Sequence, residues 1–230
     1  MAEVKHPRHK TESEVVVDRA KDFWGRFGKV IMIASAAVIV VGGGYLAYKY
    51  FVKAPKEQKA AEAVWKSESN FGMDSMAKAL SGDAQYAGAE KVASQYGGTK
   101  AGNLANFIAG VAALKAGDNN KAVKFLKEFK TDAKQVQARA YKLLADAQAN
   151  LNQNAEALSN YKKAAREFEA DQQSSAEYLF FAAYFADRVV KDKNQSVELF
   201  KELKQKYNNT QFSFEADKYL AQAGVYKDNK

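Results

Sequence analysis

The residues able to do acid–base or metal chemistry are few and poorly placed for it. Histidine occurs only at His6 and His9, in the polar stretch KHPRHK that precedes a long apolar run. A catalytic base or metal ligand for the later part of the chain therefore cannot come from histidine. The pair could hold a metal weakly, but a basic tail is the plainer reading of that composition. There is no cysteine, which removes disulfides, thiolate zinc sites and cysteine nucleophiles. Tyr96-Gly97-Gly98-Thr99-Lys100 has the ingredients of a phosphate loop in the wrong order, since that loop needs Gly-Lys-Ser/Thr with a further glycine at fixed spacing after a buried strand. The order predicts instead a helix stop at the two glycines and a restart capped by Thr99. Asp118, Asp132 and Asp146 fall on separate turns or helices and form no paired-acid pattern. No enzyme, cofactor or metal centre is expected.

The stronger signal is for contact chemistry. Tyr178, Phe180, Phe181, Tyr184 and Phe185 crowd one predicted helix, with Phe180 and Tyr184 on one face and Tyr178, Phe181 and Phe185 on another. One face is expected in a core; the other is either covered as well or offered to a partner. The net charge of +8 comes from lysines interleaved with acids, as at Lys121, Lys124 and Lys127 beside Glu128. With no arginine cluster or recognition motif, these read as a solvated surface and not as a nucleic-acid face.

The elements that must carry these residues are helices. Two prolines in 230 residues, amid abundant Ala, Lys, Glu, Gln and Leu, predict an all-α chain. Between Lys29 and Lys49 no charge interrupts the sequence, and the run Val30 to Tyr48 is long enough to cross a membrane. It is longer than a leader's apolar region, is preceded by a polar stretch and ends in Tyr45, Tyr48, Tyr50 and Phe51 with no small-residue cleavage site, so an uncleaved anchor is expected. Gly42, Gly43 and Gly44 read equally as a close-packing surface for another membrane helix or as ordinary membrane-helix glycine. Lysines and arginines are equally numerous within about twenty residues on either side, so the charge rule gives no orientation. Val16, Ala20, Phe23, Trp24 and Phe27 make an apolar stripe flanked by Arg19, Lys21 and Arg26, which either rests on an anionic leaflet, favouring a cytoplasmic amino terminus, or simply extends the span.

A repeat follows. NLANFIAGVAALKAGDNNKAVKFLKEF places small residues to Gly110, a turn at Gly117-Asp118 and a second helix on Ala122, Leu126 and Phe129. About 35 residues further on, ARAYKLLADAQANLNQNAEALSNYKKA repeats the plan, with Ala145, Asn152, Ala157, Tyr161 and Ala164 in the corresponding places. This resembles the tetratricopeptide repeat, although Ala113 and Gln148 stand where that repeat often has an aromatic ring. A third pair is expected over AEYLFFAAYFADRVVKDKNQSVELFKELKQKY, where Ser196, Phe200 and Leu203 match but Tyr184 occupies a small-residue position, so that its crossing is wider or its register shifted. SFEADKYLAQAG reads as a helix closing the open end. The expected plan is thus a basic cytoplasmic tail (1–29), a transmembrane helix (30–52), a juxtamembrane helix with connecting helix and loops (53–98), and a tetratricopeptide-like α-solenoid of about three pairs with a C-terminal capping helix (99–230). On that geometry the inner surface would carry Leu104, Phe107, Val111 and Lys115, then Arg139, Lys142, Asp146 and Asn150, a lining suited to an extended peptide or a partner helix.

The order of parts, with GGGYLAYKYFVKAPKEQKA after the span and SQYGGTKAGNLANFIAGVAALKAGD entering the repeats, is similar to the YfgM-like tetratricopeptide family, most to its Bacteroidota branch, from about Phe27 onward. The resemblance implies an inner-membrane protein with its amino terminus in the cytoplasm and repeats in the periplasm. It further implies an ancillary, non-catalytic subunit of the SecYEG translocon that meets a PpiD-like membrane-anchored chaperone and newly translocated proteins. A scaffold for cell-division or outer-membrane assembly machinery is the alternative, and a cytoplasmic adaptor of reversed topology a weaker third. If the glycines are an interface, Gly43→Leu weakens copurification of membrane-level partners; unchanged copurification removes that reading.

Overall fold

The computed structural model describes residues 11–226 in two units, one ending at Pro55 and one beginning at Lys56. His6 and His9 lie outside the described residues. In the first unit, α1 (Glu12–Ala47) takes in both the amphipathic stretch and most of the apolar run. The backbone N–H of Thr11 donates to Glu14 Oε2 over 2.8 Å, and Glu12 and Glu14 sit at the end of the helix where its dipole favours negative charge. Its 36 residues measure about 54 Å at helical rise, more than the roughly 30 Å of bilayer hydrocarbon. The apolar window within the helical residues Glu12–Gly72 has a mean hydropathy of 2.2 and none of it is buried, so it is long and apolar enough to cross a membrane. At Tyr48–Lys53 the backbone widens into a π-helical turn, and the N–H of Ala54 reaches back to the Lys49 carbonyl. Nothing lies within 4 Å of where a Cβ would stand on Gly42, Gly43 or Gly44.

The second unit holds α2 (Ala54–Gly72) from Lys56 onward, the short α3 (Met76–Ser81) and α4 (Ala89–Gln95), and then three antiparallel pairs. These are α5 (Lys100–Lys115) with α6 (Asn119–Glu128), α7 (Lys134–Asn150) with α8 (Asn154–Glu167), and α9 (Gln172–Phe185) with α10 (Lys193–Lys206). The last helix, α11 (Gln211–Gln222), packs on α10 and α9 as the closing element. Among the described residues there is no strand, only one isolated bridge between Gly82 and Ala87. Thr99 caps α5 as its position predicts, its hydroxyl accepting from Gly102 N–H at 2.9 Å.

The pairs turn in the left-handed region. Gly117, Asn152 and Lys191 have φ of 82°, 57° and 65°, so the asparagine stands in for glycine as expected, and a lysine does so in the third pair. After the first two turns the following N–H closes back on the preceding helix, Asp118 to the Ala113 carbonyl and Gln153 to that of Gln148, each at 2.9 Å. In the third the same bond runs from Asp192 to Ala186, one residue further back, because Ala186–Val190 forms a π-helical turn that absorbs an extra residue. That resolves the position of Tyr184: the register has shifted, Ala183 fills the crossing with no exposure, and Tyr184 turns outward.

Two cores result. The first gathers Ala60 and Val64 of α2, Val92 of α4, Ile108, Phe125 and Leu126, and Leu144 and Ala147 of α7. The second gathers Ala145 of α7 with Leu179, Phe180, Phe200, Leu203 and Leu220. Fully buried side chains such as Ile108, Leu179 and Phe200 contribute about 2 kcal/mol each. α7 therefore serves both cores. α2 is also tied by polar contacts, Ser67 Oγ donating to the Ala87 carbonyl at 3.1 Å and Glu57 Oε2 accepting from Lys100 N–H at 2.9 Å at the start of α5.

The first pair crosses where Gly110 has no side chain, since a Cβ there would stand 2.6 Å from Leu126 Cγ and 3.2 Å from its backbone nitrogen. On an open helix Gly→Ala gains about 1 kcal/mol, but overpacking costs about 1–3 kcal/mol, and a stiff backbone neighbour puts this site at the upper end. Gly110→Ala is thus expected to lower the urea midpoint followed by circular dichroism; an unchanged or higher midpoint would show that α5 and α6 separate without cost.

Candidate partner-binding surface

The residues expected to line an inner surface divide into two groups. At the α5 end the chain covers much of its own lining. Val111 is buried, and the half-buried Phe107 lies 5.0 Å from the Phe129 ring and 6.4 Å from Phe71 of α2, centroid to centroid. Lys115 Nζ meets Asp74 Oδ1 at 2.6 Å, in the turn after α2. Leu104 is partly buried against the same core. Little apolar surface remains there for a ligand.

The second group converges. On α7, Lys142 Nζ pairs with Asp146 Oδ2 at 2.8 Å, one turn along the same helix, and the ammonium stands 5.0 Å from the centroid of Phe181 on α9. The other oxygen of Asp146 accepts from the hydroxyl of Tyr161 on α8 at 2.8 Å. The Tyr161 ring in turn packs 5.4 Å from Phe185 and 6.3 Å from Phe181. Arg139, exposed one turn before Lys142, acts electrostatically on the half-buried Tyr178. Arg139, Lys142, Asp146, Tyr178, Phe181 and Phe185 thus share one neighbourhood built by three helices. Asn150 lies at the end of the stripe and bridges back to Asn119 at 3.0 Å.

Tyr161 was the member that spacing alone missed. Aligned with Leu126 it looked like a filler of the interhelical groove, and its hydroxyl was the available signal, because a buried tyrosine oxygen needs a partner. On the side of α9 away from Tyr161, Phe180 packs 5.7 Å from Phe200, 5.7 Å from Phe212 and 5.6 Å from Tyr219, while Tyr184 turns outward. What stays accessible is a rim of Arg139, Lys142, Tyr178 and Phe181, with cations beside aromatic rings. Asp146 already holds two partners, so it orients this rim and is not poised as a base. Among the described residues no group of three or more His, Asp or Glu side chains is arranged to hold a metal.

Burial pushes the Tyr161 phenol above its ordinary value of 10.0, and the Asp146 carboxylate adds to the shift. The folded state keeps this proton longer than the unfolded chain does, so the stabilisation is complete below pH 10.0 and is lost as pH rises towards the folded value. Tyr161→Phe should therefore flatten the loss of stability above pH 10.0, by a slope approaching about 1.4 kcal/mol per pH unit. Urea midpoints of the two proteins measured from about pH 9 to 11 check this; parallel curves would mean that the hydroxyl is not held as described.

A family model for the tetratricopeptide repeat-like domain matches residues 21–175, from within α1 to the start of α9. No significant match is found among curated proteins or among solved structures. Most of the third pair and the whole closing helix lie beyond the matched residues and continue the same plan in space. With more than half of the 230 residues matched and paired helices turning at Gly117, Asn152 and Lys191, the chain belongs to the tetratricopeptide repeat-like family.

Proposed function

We propose that this protein is a membrane-anchored, non-catalytic interaction subunit. Helix residues 30–52 hold it in the bilayer, and the repeat helices present a partner-binding rim of Arg139, Lys142, Tyr178 and Phe181. The observation that carries this reading is the convergence of cations and aromatic rings on α7 and α9 around a carboxylate that only orients them. Arginine and aromatic side chains dominate the energetics of protein–protein contacts, and an extended segment or a helix fits such a rim better than a small molecule does.

The finer reading rests on the resemblance to the YfgM-like family. It gives a bacterial inner-membrane protein with its amino terminus in the cytoplasm and repeats in the periplasm, acting beside the SecYEG translocon. There it would meet a PpiD-like chaperone or newly translocated chains. The uncovered glycines Gly42, Gly43 and Gly44 suit contact with a translocon or chaperone membrane helix, because backbones can approach closely where no side chain intervenes. A scaffold for a cell-division or outer-membrane assembly complex would use the same rim and anchor with different partners.

Photoreactive residues placed at Tyr45 and Arg139 in intact cells, followed by identification of the crosslinked proteins, separate the two. Translocon or chaperone subunits at both positions are the expected result. Division or outer-membrane assembly proteins alone would leave the interaction role in place and replace the translocon with another complex.

A further inference from the structure

A second surface lies on the other side of α7. Gln137, Tyr141, Leu144 and Gln148 recur at helical spacing on the face opposite Arg139, Lys142 and Asp146, two residues out of phase. They floor an open cleft of about 540 Å³ between α6, α7 and α8. Its floor is mixed: Tyr141, Leu144 and Phe129 supply apolar area, while Gln148 Oε1 accepts from Asn160 Nδ2 at 2.6 Å in a buried amide pair. Lys127, Lys130 and Lys163 stand around the cleft, against a single lining carboxylate, Glu156.

Lys115, Lys121, Lys142 and Lys206 each reach a carboxylate, whereas no ion pair is made by Lys127, Lys130 or Lys163 among the described residues. Two of them are also held in place. The backbone of Lys130 is pinned by Asn103, which accepts from its N–H at 3.1 Å and donates to its carbonyl at 2.7 Å. The Lys163 ammonium rests 5.9 Å from the Tyr141 ring centroid. Three like charges gathered with one carboxylate, Glu156, around an apolar and amide floor disfavour one another and favour a ligand that carries further carboxylates. A second copy of this chain, with a net charge of +8, is a poor candidate on the same ground.

We propose that this cleft docks an extended acidic segment of a partner protein, with carboxylates toward Lys127, Lys130 and Lys163 and apolar side chains on the half-buried Tyr141. Because it uses the face of α7 opposite the rim, the protein could hold two partners on one helix. The proposal goes beyond the interaction role argued above and does not depend on the identity of the rim's partner.

The test uses the full chain in nanodiscs of zwitterionic lipid and a fluorescein-labelled short peptide alternating Glu with Leu, read by anisotropy. Saturable binding that weakens with salt, and weakens at least about tenfold in Lys127→Glu/Lys163→Glu, is expected. Lys201→Glu on α10 is exposed and should leave it unchanged. Circular dichroism and the urea midpoint confirm that the variants remain folded. Equal binding of the same peptide with Gln in place of Glu, equal weakening by Lys201→Glu, or no effect of the double variant would each overturn the proposal. Crosslinks from Arg139 report separately on the rim, so failure at one face is distinguishable from failure at the other.

Discussion

The repeat unit depends on helices crossing where side chains are missing. Gly110 faces Leu126 at a distance that admits no Cβ, and Ala122, Ala145, Ala157 and Ala183 have no exposed surface at all. Such crossings bring backbones close, and closeness places the larger residues, Leu126, Tyr161 and Phe200, into the grooves on either side. The left-handed turns follow from the same demand, because two helices lying this near each other must reverse within a few residues. The position of the cation–aromatic rim and of the cleft behind it follows in turn, since both are built from the faces of α7 that the crossings leave over.

Much of this was legible because small residues and turns recur at a fixed interval. Gly117 and Asn152 mark the first two reversals openly, and their neighbours align without gaps. The third pair was harder to read: the lysine at the turn carries no turn signature, and the π-helical residues Ala186–Val190 displace the small position from Tyr184 to Ala183. A one-residue bulge inside a helix leaves no mark in hydrophobic spacing, since the residues on either side keep their own period. The packing of α2 into the first core was foreshadowed only by Ala60, Val64 and Ser67, small residues one turn apart on an otherwise charged helix.

The site was legible as separate pieces. Arg139, Lys142 and Asp146 came from their place on α7, and Tyr178, Phe181 and Phe185 from aromatic crowding on α9. Their meeting is a tertiary fact that depends on how α8 lies between them, and Tyr161 supplies the link through one hydroxyl. The reverse happened at the α5 end, where Val111 is buried and Phe107, in the expected position, is covered by partners distant in sequence, Phe71 and Phe129. Spacing tells which way a side chain points; it does not tell what else arrives there.

The sharing of α7 between two cores has a mechanical side. In a chain of repeats each element leans only on its neighbours, and opening can begin at any weak junction. Here the junction and the neighbour are the same helix, with Leu144 and Ala147 seated on one side and Ala145 on the other. Slow amide exchange is therefore to be looked for along α7 rather than at the middle of either block, with α11 fraying first. Strain transmitted along the stack must pass through those few residues, which makes α7 its keystone.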